Sequence, residues 1–351
     1  MIRSLARRAL LAFAALVFVC LTGFAVGRLR LANLPPLRSG SPLETTLHVG
    51  GTPVRLFAVQ AGTVSIKGCH HAGCLPEWLP YPLRFAAVLA DPTLGARMPI
   101  WCYILAYPDA VFIVDAGSMP SYNDDASWAL NPMQGMVVRG FLRLDVNDAE
   151  TLPAQLTAIG LHASDVRAIV LTHQHVDHTG AVPAFPDTEV WTTEAEDAAE
   201  QWIGSVPWRW RNAATRVRHV DTEGRLQEGV PFAGVALTPD GRLEAFHTPG
   251  HTPGSVSVRL RADEGDLWFV GDTSFRAEDV NPEAPTTGIH TDVRETRRLQ
   301  AWLAARSAPR AFLPSHDEAV PATLATVRGG TTPASDPGQA ARLEVRAARV
   351  R

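Results

Sequence analysis

The stretch VRAIVLTHQHVDHTG, residues 166–180, decides the fold, because an apolar run leads directly into a group of side chains that bind metal ions. Within six residues it places His173, His175, Asp177 and His178. In an extended chain, residues two apart point to the same side, so His173 and His175 can face one ion. Asp177 and His178 come where the chain turns, so they can face a second ion. Imidazole nitrogen suits zinc and a carboxylate adds negative charge, so the stretch predicts a metal site at a strand end.

Three further candidate ligands each follow an apolar run later in the chain: His251 in FHTPGHTPGS, Asp272 in LWFVGDTS and His316 in AFLPSHD. The repeated His-Thr-Pro-Gly predicts a rigid turn that fixes the side chain of His251. His247 competes for this role, and His251 is preferred because it precedes a strand-like run at 255–260. Together with the first four, these residues form a set that is predicted to meet around the metal.

Strand-like runs bounded by Gly, Pro or Asp recur along the chain. They lie at residues 54–57, 100–106, 111–114, 168–171, 189–192, 255–260 and 267–270. Two helices are also predicted, one capped by Asp148 and ended by Gly160, the other capped by Thr291 and ended before Pro309. The recurring order of strand, helix and strand predicts layered α and β structure, with a catalytic domain at residues 51–328.

The motifs HQHVDH, HTPGHTPGS, FVGDTS and LPSHD, in this order, resemble the metal motifs of metallo-β-lactamase-fold hydrolases. The resemblance runs from about residue 54 to residue 316. It implies an αββα sandwich of two related halves, with two metal ions at one edge of the paired sheets. It assigns one ion to His173, His175 and His251, the other to Asp177, His178 and His316, and makes Asp272 the bridge between them.

This metal centre implies a hydrolase in which two divalent ions, zinc being expected, share a bridging water and lower its pKa to about 7. The hydroxide then attacks an acyl or phosphoryl centre. Asp177 is expected to hold the nucleophile and to pass a proton to the leaving group. Asp115, in VFIVDAG, matches an aspartate near the metal loop of this family and is expected to orient a ligand. A plain turn aspartate at a strand end is the alternative for Asp115.

Within the superfamily, the chain resembles the N-acyl-homoserine lactone lactonases most. The resemblance rests on MPIWCYIL before VFIVDAG, on the spacing from HTPGHTPGS to GDTSF, and on the helix before LPSHD. Those enzymes open a small lactone ring, and they commonly place a tyrosine three residues after the bridging aspartate. Here that residue is Phe275, whose ring cannot donate a hydrogen bond. Either another group replaces the tyrosine hydroxyl or the substrate differs.

Three tryptophans in WIGSVPWRW, residues 202–210, lie between the two metal-bearing halves. We expect Trp208 and Trp210 to form a lid or a pocket wall for an apolar acyl group. An ordinary packed loop is the alternative.

The N-terminus, residues 1–27, is predicted to be a membrane anchor or a signal segment. Arg3, Arg7 and Arg8 precede the apolar run ALLAFAALVFVCLTGFAV, whose eighteen residues are near the lower limit for spanning a bilayer. Positive charge before the run favours a cytoplasmic N-terminus, with the catalytic domain outside the cytoplasm in a periplasmic or extracellular location. An uncleaved anchor is preferred over a cleaved signal, which would give a secreted protein. A Pro- and Ser-rich linker is predicted at residues 28–50, and a disordered tail at 329–351.

Cys69 and Cys74 bracket CHHAGC, which predicts either a small disulfide loop in an oxidising compartment or two unpaired loop cysteines. A metal site there is less favoured, because adjacent histidines on a short loop rarely both reach one ion. Cys102, in an apolar run, is predicted to be a core residue.

The net charge is -4 and no block of Lys or Arg lies in the body of the chain, so a nucleic-acid partner is not expected. A small-molecule substrate and the membrane are the expected partners, and the sequence leaves the oligomeric state open. Alternatives within the hydrolases are thioester, β-lactam or phosphodiester cleavage. A di-iron redox protein and a non-catalytic protein with a structural metal site are less favoured, the latter because this ligand set fits an open site.

Overall fold

The protein is described by a computed structural model, which covers residues 2–37, 39–124, 129, 131–199, 204–212, 214–222, 229–306, 309–327 and 332–333. The helices, in chain order, are α1 (Ile2–Ala32), α2 (Gly68–Ala72), α3 (Tyr81–Ala90), α4 (Ser121–Asp124), α5 (Pro132–Phe141), α6 (Leu152–Ala158), α7 (Val176–Thr179), α8 (Glu194–Ala198), α9 (Pro207–Trp210), α10 (Val293–Ala304) and α11 (Val320–Thr326). The strands are β1 (Leu43–Val49), β2 (Thr52–Lys67), β3 (Leu94–Ala106), β4 (Val111–Val114), β5 (Leu142–Asp145), β6 (Val166–Val170), β7 (Glu189–Thr192), β8 (Arg216–His219), β9 (Gly234–Ala236), β10 (Leu243–His247), β11 (Val256–Ala262), β12 (Gly265–Gly271), β13 (Pro309–Pro314) and β14 (Thr332–Pro333).

The strands form two sheets. The larger has the order β14-β1-β2-β3-β4-β6-β7-β8, with β5 also paired to β2, and the smaller has the order β13-β12-β11-β10-β9. In the larger sheet, β4 is parallel to β6, with Ile113 opposite Ile169. In the smaller sheet, β12 is parallel to β13, with Trp268 opposite Phe312. Because parallel neighbours end at the same edge of a sheet, the residues that follow these four strands are brought close together.

The main core lies between the two sheets. Tyr103 and Val170 of the larger sheet belong to the same buried cluster as Val258 and Phe269 of the smaller one. The rings of Tyr103 and Phe269 have their centroids 5.0 Å apart. At about 25 cal/mol per Å² of apolar surface removed from water, this shared layer is the chief term that holds the sheets together.

Helices cover the outer face of each sheet. Leu152 and Leu156 of α6 pack on the larger sheet, and Leu299 and Leu303 of α10 pack on the smaller one. The resulting order of helix, sheet, sheet and helix confirms the predicted αββα sandwich.

The two predicted helices are present, but their caps differ from the prediction. Asp148 begins a short 3₁₀ turn that Asn147 caps, and Thr151 precedes α6. The cap of α10 is Asp292, not Thr291, and its carboxylate accepts hydrogen bonds from the N–H groups of Arg294 and Glu295. An aspartate can satisfy two of the free N–H groups at a helix start, which explains its preference over the neighbouring threonine.

The predicted linker at residues 28–50 is wrong at both ends. Helix α1 continues to Ala32, and β1 pairs with β2 along its whole length, from Leu43 opposite Ala58 to Val49 opposite Thr52. The alternating burial of β1, with Leu47 and Val49 buried, explains why this segment belongs to the sheet. Within the predicted tail at 329–351, residues 332–333 pair with β1, and the rest lies outside the described residues.

The predicted N-terminal apolar helix is present as α1. Its segment Leu10–Ala32 is long and apolar enough to cross a membrane, judged by length and composition. Most of its large side chains are exposed, but Leu31 near its end is buried against the domain. The helix therefore joins the domain directly.

Candidate metal centre

The candidate ligands lie where strands of both sheets end. His173 and His175 follow β6, Asp272 follows β12, His316 follows β13, and His251 lies in the turn between β10 and β11. Backbone hydrogen bonds join the sheets at this edge. The N–H of Val256 donates to the carbonyl of Thr172 over 2.7 Å, and the N–H of Trp101 donates to the carbonyl of Ser315 over 2.8 Å. These bonds fix the spacing between ligands that come from different sheets.

One cluster consists of His173, His175 and His251. The Nδ1 atom of His175 lies 2.8 Å from Nε2 of His173 and 3.2 Å from Nε2 of His251. Burial lowers the pKa of both His173 and His251 well below the usual value for histidine. Both rings are therefore neutral at physiological pH, so each can present a nitrogen lone pair to a cation.

A second cluster consists of Asp177, His178 and His316. Nε2 of His316 lies 3.5 Å from one carboxylate oxygen of Asp177, and Nε2 of His178 lies 3.8 Å from the other. All three side chains are buried. Two imidazoles and a carboxylate at these distances surround a space of the size that a divalent ion needs.

Asp272 lies between the clusters and faces both. Its Oδ2 atom is 3.6 Å from Nε2 of His251 and 3.9 Å from Nε2 of His173. Its Oδ1 atom is 3.3 Å from Nε2 of His316 and 3.5 Å from Nε2 of His178. Burial alone would raise the pKa of Asp272, but His316 and His178 hold it well below the usual value, so the carboxylate stays ionised. One oxygen toward each cluster is the arrangement that a bridging ligand requires.

The donor set fits two divalent cations. Nε2 of His178 and Oδ1 of Asp272 are buried without a hydrogen-bond partner, which costs about 1–3 kcal/mol for each group that stays unsatisfied. The ligand atoms fall into three groups, and within each group they lie within 4.8 Å of one another. The group of His173, His178 and Asp272 shares His173 with the first cluster and His178 with the second. A cation in each cluster would satisfy these lone pairs, and the mixture of nitrogen and oxygen ligands suits zinc.

Asp115 connects the ligand loops. It has a positive φ of 63°, and its carboxylate accepts hydrogen bonds from the Thr172 N–H at 2.7 Å and from the Ser315 hydroxyl at 3.0 Å. It also lies 2.8 Å from Nδ1 of His178. Burial lowers the pKa of His178, but the carboxylates of Asp115, Asp272 and Asp177 outweigh it and raise the pKa to about 10. Without a cation the ring is therefore protonated at neutral pH. A cation in the second cluster would displace the proton from Nε2, while Asp115 keeps the other proton on Nδ1.

Two other ligand candidates are held through their second ring nitrogen. Nδ1 of His316 donates to the carbonyl of Pro99 over 2.8 Å. Nδ1 of His251 lies 3.2 Å from Nδ1 of His290, a buried histidine whose pKa burial lowers to about 3. His247, the competitor of His251, lies outside the clusters, with Nε2 at 2.9 Å from the Pro253 carbonyl.

Glu196 was not predicted to belong to the site, yet its buried carboxylate joins two ligand loops. It accepts from the N–H of Gln174 over 3.0 Å, from the hydroxyl of Thr252 over 2.6 Å and from the N–H of Gly254 over 3.0 Å. The first loop carries His173 and the second carries His251. A glutamate in an acidic helix gives no signal for such a role, because its partners are 22 to 58 residues away in the sequence.

A cavity of about 490 Å³, part of which is open to solvent, lies beside the two clusters. One end is formed by His175, Asp177, Asp272 and His316, and the remainder is lined mostly by the apolar side chains Val64, Ile66, Tyr81, Phe85, Met98, Phe141, Leu142, Val176, Phe275 and Ile289. The ring of Phe275 lies 5.6 Å from that of His316. Phe275 therefore lines the cavity next to the candidate ligands.

Cys69 and Cys74 form a disulfide, which settles between the two predicted alternatives. The loop that it closes places His70 in the cavity wall and stacks His71 on Phe275 at 6.3 Å. Burial lowers the pKa of His70 to about 3, and its Nδ1 atom has no hydrogen-bond partner. The sequence indicated His70 only as a less favoured metal ligand, whereas the structure places it in the cavity wall, next to the disulfide.

Trp210 does not form the pocket wall that was expected of it. Trp210 is 2% exposed and packs in the core cluster on the outer face of the larger sheet, near Val182 and Phe185. It is not part of the cavity lining. Its large apolar surface is better buried there than near the metal ligands. The side chain of Trp208 lies outside the described residues.

Comparison with known proteins adds to this geometry. A sequence profile for the metallo-beta-lactamase superfamily matches residues 95–306. An N-acyl homoserine lactonase of a Bacillus species is 28% identical over 197 residues, which cover 56% of this chain and 72% of that protein. A probable metallo-hydrolase of Mycobacterium tuberculosis is 30% identical over 214 residues, covering 56% of this chain and 64% of that protein.

Solved structures share the fold. The structure of an N-acyl homoserine lactone hydrolase with N-hexanoyl-L-homoserine at its catalytic metal centre superposes with a TM-score of 0.57 and 18% identity, over 75% of this chain and 93% of that one. A quorum-quenching N-acyl homoserine lactone hydrolase superposes with a TM-score of 0.55 and 18% identity, over 78% and 94% of the two chains. At this identity the likeness shows a common fold.

Proposed function

The chain belongs to the metallo-beta-lactamase superfamily, and we propose that it uses two zinc ions to hydrolyse a lactone or a related ester bond. The observation that carries the proposal is the convergence of seven histidine and aspartate side chains at one end of a largely apolar cavity. Similarity to N-acyl homoserine lactonases supports an N-acyl homoserine lactone as the substrate. The cavity suits such a molecule, because an acyl chain needs apolar walls and a lactone carbonyl needs the ions.

In this proposal, His173, His175 and His251 hold one ion, Asp177, His178 and His316 hold the other, and Asp272 contributes one oxygen to each. When bound, the ions supply a water with a pKa near 7 and polarise the carbonyl of the substrate. Asp115 keeps His178 in place, and Glu196 holds the loops of His173 and His251 at the correct distance.

Asp177 lines the cavity and is the residue that we assign to proton transfer. Hydrolysis adds the elements of water across the acyl C–O bond, so the hydroxyl goes to the acyl carbon and a proton goes to the ring oxygen that leaves. The Asp177 carboxylate takes the proton from the attacking water and passes it to that oxygen. The product is a hydroxy acid, which ionises at neutral pH and releases one proton to the solvent.

His70 offers a contact for the amide of such a substrate. The carbonyl of Phe141 accepts a hydrogen bond from the His70 ring, while Nδ1 is buried and has no partner. The ring is neutral, so it carries one N–H, and Nδ1 is then an acceptor. An amide N–H on the substrate would satisfy it. His70 cannot replace the tyrosine hydroxyl that Phe275 lacks, because that role needs a donor.

We propose that the protein is anchored in a membrane by α1, with its catalytic domain outside the cytoplasm. Arg3, Arg7 and Arg8 precede the apolar segment, which favours a cytoplasmic N-terminus. The disulfide between Cys69 and Cys74 is typical of an oxidising compartment. The contact between α1 and the domain supports retention of the helix.

The substrate is tested with the zinc-loaded protein and a pH indicator. Lactones, carboxyl esters, thioesters, β-lactams and phosphodiesters each release acid when they are hydrolysed. We expect the highest kcat/KM with N-acyl homoserine lactones, and loss of acid release in a His173→Ala variant. A higher kcat/KM for another substrate class, with no acid from any lactone, would contradict the proposed substrate.

A further inference from the structure

Exposed apolar side chains of the catalytic domain lie on the two helices that pack against α1, with Leu83 on α3 and Met133 and Met136 on α5. Beyond α1, the large apolar residues that are strongly exposed are Leu37, Leu75, Trp78, Leu83, Leu94, Met133 and Met136. None of the described residues after position 136 belongs to this group. Trp78 is 80% exposed, and it stands just before α3. An exposed apolar patch of this kind indicates a surface that contacts another protein or a membrane.

Helix α1 packs so closely against these helices that two positions in the contact have no room for a Cβ atom. A Cβ atom added to Gly23 would lie 1.9 Å from the carbonyl oxygen of Ala90, at the end of α3. A Cβ atom added to Gly140, at the end of α5, would lie 2.0 Å from the ring of Phe24. Glycine at position 23 lets the backbones of α1 and α3 approach closely, and glycine at position 140 leaves room for the Phe24 ring.

Polar contacts fix the end of α1 as well. The guanidinium of Arg143 donates to the carbonyls of Ala32 and Leu34, each over 2.7 Å. The guanidinium of Arg30 donates to the carbonyl of Pro92 over 3.0 Å. The apolar helix therefore enters the domain without a flexible linker, so the orientation of α1 sets the orientation of the domain.

The order of these contacts shows that α1 runs in the same direction as α3 and α5. Moving along α1 from Gly23 to Arg30, the partners move from Ala90 to Pro92. From Phe24 to Ala32, they move from Gly140 to Arg143. The upstream part of α1 thus leaves the domain toward the N-terminal ends of α3 and α5. Those ends carry the exposed residues Leu83 and Met133.

The length of the apolar segment places this side close to the bilayer. A hydrocarbon core about 30 Å thick takes about 20 helical residues. The apolar run of α1 at residues 9–26 already includes Gly23 and Phe24, which contact the domain. When α1 spans the bilayer, the C-terminal ends of α3 and α5 therefore lie at the membrane edge, and their N-terminal ends lie beside the part of α1 that enters the lipid.

We propose that Leu83, Met133 and Met136 rest on the lipid bilayer that holds α1, and that the cavity receives lipophilic esters or lactones from that bilayer. The inner sides of the same two helices carry Tyr81, Phe85 and Phe141, which line the apolar end of the cavity. A substrate tail dissolved in lipid would enter at this end, with its ester group at the metal ligands. The substrate part rests on the proposed hydrolase function, whereas the membrane surface does not.

The membrane surface is tested by site-directed spin labelling of the full chain in phosphatidylcholine vesicles. Leu83→Cys and Met133→Cys are labelled in a Cys20→Ser background, since Cys102 is buried and Cys69 is bonded to Cys74. Ala301→Cys, at an exposed position on α10, is the matched control. Labels at 83 and 133 should be accessible to oxygen and protected from a water-soluble nickel complex, and the label at 301 should behave in the opposite way.

Equal access of nickel to all three labels would overturn the proposed surface. Dipolar broadening between labels at position 83 of neighbouring chains, without access of oxygen, would also overturn it, because a second copy of the chain would then cover the patch.

The substrate route is tested with a Leu83→Lys, Met133→Lys double variant and with Ala301→Lys as its control. For a dodecanoyl lactone in vesicles, kcat/KM of the double variant should fall by about tenfold, because a charged patch would hold the cavity away from the lipid. For a water-soluble butanoyl lactone it should stay unchanged. An equal loss for both lactones would overturn the route. Should no lactone be hydrolysed at all, the proposed function fails, and the labelling result still decides the membrane surface.

Discussion

Asp115 shows how one side chain can determine the geometry of a whole cluster. Its carboxylate binds the backbone and hydroxyl of Thr172, the hydroxyl of Ser315 and Nδ1 of His178. These partners come from both sheets. Its backbone is left-handed, with φ at 63°, a conformation that asparagine tolerates far better than alanine does.

Replacing Asp115 with asparagine should weaken binding of the second ion by about 10–100-fold, because the amide cannot hold His178 as an ionised carboxylate does. The fold should persist, since asparagine accepts the left-handed backbone. Zinc affinity is measured by competition with a chromogenic chelator. Asp109→Asn, at an exposed turn before β4, is the matched control and should bind as the unmodified chain does. Unchanged affinity in Asp115→Asn would show that His178 is held by other means.

Phe275 is the clearest departure from the lactonase pattern. It is 6% exposed, lines the cavity and lies 5.6 Å from the ring of His316.

A Phe275→Tyr variant would add a hydroxyl donor beside the metal ligands. If the substrate is a lactone, kcat should rise, by up to about 10²-fold, because such a donor stabilises the developing oxyanion. Phe141→Tyr adds a hydroxyl elsewhere in the cavity and should leave kcat unaltered. A fall in kcat for Phe275→Tyr would argue that another donor already occupies that position.

At the scale of the elements, the strands that feed the metal ligands could be read from the sequence. The runs at 168–171 and 267–270 match β6 and β12 to within two residues at each end, because dense apolar sequence between turn residues is typical of a buried parallel strand. Strand β2 is much longer than its predicted core at 54–57. Its remaining residues include Gln60 and Gly62, and they are held in the sheet by pairing with β3 and β5.

The ligand candidates could be found for the same reason, since each follows such a strand. The residues that surround the ligands could not be found from the sequence. His70, Glu196 and His290 reach the site through packing of distant segments, and a single histidine or glutamate in a loop or short helix carries no periodic signal. The strand β1 was missed because its alternation of Thr, Leu and His becomes meaningful only beside β2.

The contact of α1 with the domain is expected to depend on pH through Lys67. This side chain is buried, with Nζ 2.7 Å from the carbonyl of Leu89 and 5.3 Å from the centre of the Phe24 ring. Burial lowers the pKa of Lys67 to about 8, although Asp91 acts to raise it. When α1 detaches, the ammonium is rehydrated and its pKa returns toward 10.5. Between these two pKa values, the detached form therefore binds more protons than the form in which α1 contacts the domain. The contact of α1 with the domain consequently becomes more stable as the pH rises from about 8 toward 10.5.

Protease cleavage between α1 and the domain, measured in detergent, should accordingly become slower over this pH range. A Lys67→Met variant has no titrating ammonium and should show no such trend after correction for the activity of the protease. A trend of equal size in the variant would mean that Lys67 is not the group responsible.

At the scale of the whole molecule, the metal centre, the apolar cavity and α1 form one continuous arrangement. The ligands lie at the edge where the two sheets meet, the cavity extends from them beneath α3 and α5, and α1 packs on the other side of these helices. A hydrolase built in this way would reach substrates at a membrane surface without losing its rigid metal site.

The account depends most on the claim that this ligand set binds two metal ions that hydrolysis requires. Elemental analysis of the purified chain, combined with turnover of an N-acyl homoserine lactone, tests it directly. We predict two zinc ions per chain, loss of turnover on chelation and recovery when zinc is restored, with about one ion lost in His316→Ala. Full turnover by the metal-free chain, or an unchanged metal content in His316→Ala, would contradict the account.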